Sequence, residues 1–253
     1  MSELERIEQL EKEIRELKGL NDNGIPTYSF SNIKFTDLEK LVDIEIKIDT
    51  NKFDTMFNNN IIVEDEVVVF LKKLIEKTKP LMKHFKEEDL KLHFLAHLFA
   101  KIDFTSYENN FRDFYDEKMT YKTDTFIFNG ETDFVVSKGL FKSQKPYFFI
   151  QEFKQGKTRK DPEPQLLAEL ISAIELNNET SMKGAYIVGA IWNFVILEKL
   201  ETNKYQYFVS ENFDSTKIED LKNIYRNLMF VKKEIIKEIE LANRIKTNEL
   251  VNE

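Results

Sequence analysis

The sequence contains no cysteine. Disulfides and thiolate metal sites are therefore excluded, and the chain suits a reducing compartment. No apolar run approaches the roughly 20 residues that cross a bilayer, and the stretch "MSELERIEQLEKEIRELKG" is charged throughout. A cytoplasmic protein in aqueous solution, without a membrane partner, is expected. There is no Walker loop, no dinucleotide fingerprint and no G-x-S-x-G elbow, which sets aside nucleotide-driven and acyl-transfer chemistry. Internal repeats and low-complexity segments are also missing. Positive charge is in deficit: the formal net charge of -8 argues against broad, unassisted capture of nucleic acid.

What is present is enough apolar material for a large core. The chain has 253 residues, 42% of them hydrophobic, with 22 phenylalanines, which implies one large domain or one domain with an appendage. The charge is unevenly spread. Between Lys138 and Lys160 the bases are Lys138, Lys142, Lys145, Lys154, Lys157, Arg159 and Lys160, and Glu152 is the single acid. This basic island lies within an acidic protein.

Periodicity gives the order of elements. Residues 3–18 place Ile7, Leu10, Ile14 and Leu17 at a coiled-coil spacing about two heptads long, too short to be stable alone. Residues 1–20 are thus an N-terminal helix and candidate coiled coil, pairing with a second copy or with the C-terminal helix. The Gly/Pro turn in "NDNGIP" marks the boundary to a domain over 24–253. "VDIEIKID", residues 42–49, alternates like a half-exposed strand. Helices are expected over about 63–78 and 86–101. In "KTDTFIFNGETDFVV" the pair Asn129-Gly130 signals a hairpin turn. "KPYFFIQEFK" reads as a buried strand, and Asp161-Pro162 as the start of a helix reaching about Leu176, with Asp161 as cap and Pro162 as first helical residue. "GAYIVGAIWNFVILEKL" and "KYQYFVS" follow as strands, and a long helix covers about 217–248. The fold class expected is α/β, a mixed sheet flanked by helices.

Chemistry gathers at the strand ends. Alternation in residues 147–154 puts Glu152 and Lys154 on one face, roughly 6 to 7 Å apart along the strand. If the preceding strand lies alongside, Asp133 sits opposite Glu152. Two carboxylates so close repel unless a cation lies between them, and Mg²⁺ suits such a pair. A lysine two residues beyond the second acid is placed to assist a water or to stabilise developing phosphate charge.

Asp133, then 18 intervening residues, then Glu152-Phe153-Lys154, then a helix bearing Gln165, resembles the PD-(D/E)XK nuclease superfamily, and is most similar to uncharacterised bacterial members. The resemblance covers the element order of about residues 86–192; Thr132 stands where the family name has proline. It implies a restriction-endonuclease-like αβββαβ core and a nuclease dependent on Mg²⁺ or Mn²⁺ that hydrolyses phosphodiester bonds in DNA, with RNA the other candidate polymer, in genome defence or DNA processing. By the same resemblance Asp133 and Glu152 are metal ligands, the main-chain carbonyl of Phe153 a third, Lys154 the catalytic lysine and Gln165 an accessory group. An acid of the first core helix, Glu87 or Glu88, completes the site. Lys138, Lys157, Arg159 and Lys160 are the candidate phosphate contacts, and the terminal helices the surface for a homodimer or a partner protein.

Competing readings accompany each of these. An isolated E-x-K is common on exposed strands, and the superfamily includes inactive members, so a non-catalytic scaffold binding protein or nucleic acid is the second hypothesis. Gln165 is equally at home exposed in a first turn, and Glu169, one turn further on, is expected in solvent. His93 and His97 share a helix face but lack the H-E-x-x-H glutamate, so packing or partial exposure is expected. Trp192 is expected in the core. Phe111 and Phe114 are expected there too, with base stacking as the alternative.

Overall fold

The computed structural model describes Arg6 and residues 24–49, 51–156 and 161–251. Apart from Arg6, the expected helix over 3–18 lies outside the described residues, as do Lys157, Arg159 and Lys160. In chain order the elements are β1 (Thr27–Ser29), α1 (Phe35–Leu41), β2 (Asp43–Ile46), α2 (Asp54–Phe57), α3 (Asp65–Thr78), α4 (Glu87–Leu90), a π-helical turn (Lys91–Leu95), and α5 (Ala96–Ile102). Then follow β3 (Phe111–Lys122), β4 (Ile127–Lys138), β5 (Gln144–Lys154), α6 (Glu163–Asn177), β6 (Ser181–Val188), β7 (Ile191–Glu201), β8 (Lys204–Val209), β9 (Phe213–Asp214) and α7 (Ile218–Val251).

The described strands form one mixed sheet with the path β1-β4-β5-β6-β7-β8-β2; β3 adds to β4 and β9 to β7. Neighbours β3, β4 and β5 are antiparallel, while β5 and β6 are parallel and joined through α6. A parallel pair requires such a crossover, because a tight turn cannot return the chain to the same end of the sheet. The fold is α/β, with helices on both faces and a long C-terminal helix.

Two apolar layers sandwich the sheet. On one side Phe134, Phe149, Phe153 and Trp192 pack under α3, α5 and α7; on the other Val135, Ile150 and Val195 meet α6 and α1. Alternate residues of β4 and β5 thus reach opposite layers, as a period of two dictates. The Phe99 ring stands 4.5 Å from that of Phe134 and 6.2 Å from that of Phe153. Each fully buried phenylalanine contributes about 1.5–3 kcal/mol. Trp192 is buried as expected, and so are Phe111 and Phe114, which removes both from any role in base stacking. Leu221, Ile224, Leu228, Val231, Ile235 and Ile239 form the buried stripe of α7. Among the described residues no helix is long and apolar enough to cross a membrane.

Three local expectations are corrected. The hairpin between β3 and β4 turns over residues 123–126, closed by Thr123, whose hydroxyl accepts the Phe126 N–H at 2.9 Å. Asn129 and Gly130 lie inside β4, paired with Thr120 and Met119. Gly130 answers to packing instead of turning: a Cβ there would sit 2.8 Å from Phe30 Cδ2. The run 184–200 is two antiparallel strands, because Gly189, at φ 61°, reverses the chain between Val188 and Ile191. Finally, α6 begins one residue later than expected. Pro162 is its cap residue and Asp161 Oδ1 accepts the Glu163 N–H at 3.0 Å.

One feature of the sheet creates the cleft. Along one edge β4 is paired with β3 over its whole length except at Asp116 and Asp133; its other edge is shared by β1, over Ile127–Asn129, and β5, over Phe134–Lys138. Residues 130–133 therefore face no strand on that edge. The chain opens there into a cleft.

Candidate active site

The cleft encloses about 590 Å³ and is lined by Glu87, Lys91, Asp116, Asp133, Glu152, Lys154 and Gln165, with Ser29, Ser31, Glu88, Lys118, Asn129, Gly130 and Glu131 around its rim. Its floor is built from two strand ends. The β4–β5 ladder closes with Phe134 against Gln151, so Asp133 and Glu152 are the next residues out on their strands. Asp133 turns its carboxylate onto the neighbouring strand: Oδ2 accepts the Phe153 N–H at 2.8 Å. The expected meeting of Asp133, Glu152 and Lys154 is found.

Glu152 is fully buried. Its Oε1 accepts a hydrogen bond from Lys154 Nζ, while Oε2 has no partner. Behind it, Glu169 is also fully buried; Gln165 Nε2 donates to Glu169 Oε1 at 3.1 Å and Glu169 Oε2 is unpartnered. The expectation of a solvent-exposed Glu169 is thereby overturned. The cause is the helix itself, in which every residue from Pro164 to Ile174 is buried between the sheet and neighbouring chain. Gln165 faces the cleft, nearly buried, and does not occupy an exposed first turn.

From the opposite layer come Glu87 and Lys91. Lys91 Nζ donates to Asp133 Oδ1 at 2.9 Å and to Asp116 Oδ1 at 3.3 Å, with the Glu87 and Glu88 carboxylates at 3.8 and 4.0 Å. Only 12% of the Lys91 side chain is exposed. Glu87 Oε2 also stands 4.0 Å from Lys154 Nζ. Glu88 is 77% exposed against 36% for Glu87, so Glu87 is the acid of α4 that reaches further into the cleft.

The electrostatics follow from a surplus of acid in a poorly hydrated place. Four carboxylates, of Glu87, Asp133, Glu152 and Glu169, meet two ammonium groups, of Lys91 and Lys154. Burial, then the charges of Glu169 and Asp133, push the Glu152 carboxyl well above its ordinary range, although Lys154 opposes them. Burial likewise raises Glu169, against the hydrogen bond from Gln165, and burial followed by the charge of Asp133 raises Glu87. For both lysines burial favours the neutral form, but surrounding carboxylates outweigh it: Glu152, Asp133 and Glu87 raise Lys154, and Asp133, Asp116 and Glu87 raise Lys91. Both amines are ammonium at neutral pH.

Among the described residues no group of three His, Cys, Asp or Glu side chains is arranged to hold a metal ion. The donor chemistry nevertheless suits Mg²⁺, which needs only one or two carboxylates and takes its other ligands from water and substrate phosphate. Asp133 and Glu152 supply that pair, and the unpartnered Glu152 Oε2 is a buried oxygen still short of a cation or donor. For Phe153, the main-chain atom seen to act is its N–H, which positions Asp133.

Other expectations separate from the site. Lys138 ends β4 five residues beyond Asp133, roughly 17 Å along the strand, and does not line the cleft. Its place at the far end follows from the strand's direction, which sequence proximity ignores. His93 and His97 are exposed on the helix surface. A larger groove of about 950 Å³ lies at the other ends of β5 and β6, bordered by Tyr147, Asn177, Lys183, Phe230 and Glu234. It lacks the convergence of buried acids and amines that marks the smaller cleft.

Lys91, Asp116 and Glu169 are the participants that sequence reasoning missed. Lys91 follows Glu87 by four residues on an expected helix, which places the two on one face; Glu169 follows Gln165 by the same interval. Asp116 carries no such signal. No protein-family model matches the chain, and no curated protein matches it.

Proposed function

We propose that the protein is a divalent-metal-dependent nuclease with a restriction-endonuclease-like core, formed by the α4–α5 helix, β3, β4, β5, α6 and β6. The carrying observation is the meeting of Asp133, Glu152 and Lys154 at the break in the sheet, with a buried Glu152 oxygen left unpartnered. Asp133, Glu152 and the Phe153 carbonyl would hold Mg²⁺ or Mn²⁺. Such an ion, when bound, polarises the phosphodiester and makes a bound water more acidic.

The chain's own groups divide the remaining work. Lys154 is held as an ammonium by Glu152, Asp133 and Glu87, so its task is to orient the attacking water and to neutralise charge developing on phosphate; a base would have to be uncharged. Gln165 is anchored by its bond to Glu169, which fixes its amide at the cleft wall to position water or the nucleic-acid backbone. The N–H of Phe153 holds Asp133 in a single orientation, the preorganisation that charge stabilisation requires. DNA is the proposed polymer, and RNA is the comparison arm of the test. The acidic rim gives little attraction for a polyanion, so recruitment is assigned to assembly. The last turns of α7, where Leu241 and Ile245 are exposed, are the proposed surface for a second copy or a partner protein.

Plasmid, linear DNA and RNA incubated with Mg²⁺, Mn²⁺ or chelator test the reading. Cutting that requires the metal and drops at least about a hundredfold in Lys154→Ala is expected. Wild type and variant behaving alike would refute it. One observation favours a second reading, a non-catalytic scaffold for protein or nucleic acid: Lys91 and Lys154 each bind one of the two acids and offset part of their charge. Under that reading calorimetry detects no Mn²⁺ uptake.

A further inference from the structure

Lys91 is the cation of the cleft to which hydrolysis assigns no task. It bonds to Oδ1 of Asp133, one of the two carboxylates assigned to the metal. An ammonium 2.9 Å from that oxygen and a divalent ion on the same carboxylate repel each other. A second berth is within reach, since Asp116 Oδ1 lies 3.3 Å from the same nitrogen and its carboxylate is largely in solvent. The same nitrogen lies over the Phe153 ring, 5.9 Å from its centroid, a further favourable contact for the cation. The charge is never left unpaired in a buried place.

Two backbone irregularities from separate elements converge on this one nitrogen. The π-helical turn begins at Lys91, with the Ala96 N–H bonded to the Lys91 carbonyl five residues back; such turns are rare and concentrate at functional sites. Asp116 stands in the left-handed region at φ 51° in the middle of β3, a conformation uncommon for a residue with a side chain. Independently of both, Glu152 Oε2 is buried and unpartnered. Lys91 therefore does not complete the coordination that the acids offer.

We propose that Lys91 is a built-in competitor of the divalent ion, holding Asp133 in the metal-free protein and passing to Asp116 when the ion takes Asp133. The inference rests on the metal-dependent reading of the cleft. It makes Lys91 a positioning residue that sets metal affinity and neutralises Asp133 until metal arrives.

Calorimetric titration with MnCl₂, without nucleic acid, is the test, applied to wild type, Lys91→Met, Asp116→Asn, the double variant and Asp133→Ala. Lys91→Met is expected to bind Mn²⁺ at least about tenfold more tightly than wild type, because a repelling charge is removed. Asp116→Asn is expected to bind several-fold more weakly, having lost the second berth, and the double variant to match Lys91→Met. Should Lys91→Met fail to fold in thermal melts with chelator, Lys91→Arg replaces it with the opposite sign, because a guanidinium grips a carboxylate with two bonds. Unchanged or weaker Mn²⁺ binding by Lys91→Met, or stronger binding by Lys91→Arg, overturns the proposal. So does a double variant weaker than Lys91→Met, which would make Asp116 a ligand in its own right. In each of those cases Mn²⁺ binding that is lost in Asp133→Ala leaves the metal site standing. Absence of Mn²⁺ binding in every protein would bring down the metal site and the proposal together.

Discussion

Replacing Asp133 separates two things that this one carboxylate does. Its Oδ2 accepts the N–H of the fully buried Phe153, and its Oδ1 accepts Lys91. Asp133→Asn keeps an acceptor for the N–H but loses the charge; Asp133→Ala loses both. Leaving a buried N–H unpaired costs about 1–3 kcal/mol. Loss of the ion pair costs less than a buried pair otherwise would, about 1–2 kcal/mol, because Lys91 retains Asp116 at 3.3 Å and Glu87 at 3.8 Å. Against that stands relief of repulsion. The charge of Asp133 is among the causes that raise Glu152, and two ionised carboxylates at such neighbouring positions repel by about 1–3 kcal/mol at an effective dielectric of about 20. Asp133→Asn is therefore expected within about 1 kcal/mol of wild type, and Asp133→Ala about 1–3 kcal/mol below Asp133→Asn. Urea unfolding at neutral pH with chelator, followed through the fluorescence of Trp192, measures both. Equal stabilities for the two variants would refute the assigned role of the Phe153 N–H. A loss of more than about 2 kcal/mol in Asp133→Asn would show that the Lys91 pair outweighs acid crowding.

Two further outcomes test the scaffold. Gly130→Ala should lower the urea midpoint by the equivalent of about 1–3 kcal/mol, since its Cβ would lie 2.8 Å from a carbon of the buried Phe30 ring; an unchanged midpoint would deny the close approach. Burial alone would raise the Glu198 carboxyl, but hydrogen bonds from Lys52 and Gln206 outweigh it and hold the group below its ordinary value. Its contribution is then present above the unfolded pKa and disappears as pH falls through the lower folded one. The stability difference between wild type and Glu198→Gln, about 1 kcal/mol for a half-buried pair still reached by water, should be largest near neutrality and shrink below about pH 4. A difference independent of pH would contradict this.

What could be read beforehand was local. The alternation of Phe149, Ile150 and Phe153 placed β5, and with it the common side of Glu152 and Lys154, because a strand's period of two is a property of adjacent residues alone. The stripe Leu221, Ile224, Leu228 and Val231 likewise announced α7. Asn129-Gly130 misled because a turn signal and a close-packing requirement select the same residue, and only the position of Phe30 tells them apart. Glu169 misled because a carboxylate on a helix is normally solvated; α6 is enclosed on all sides.

The amino-acid sequence by itself determined most of the elements, their order, and the common side of Glu152 and Lys154 on one strand, since each depends on backbone preferences within a few residues. Only the tertiary structure decided that β1 and β5 share one edge of β4 and leave residues 130–133 open, that Lys91 crosses from the helical layer to Asp133, and that Lys138 lies at the far end. Those relations join residues tens of positions apart. Their energies come from burial and charge in a shared space that no local pattern specifies.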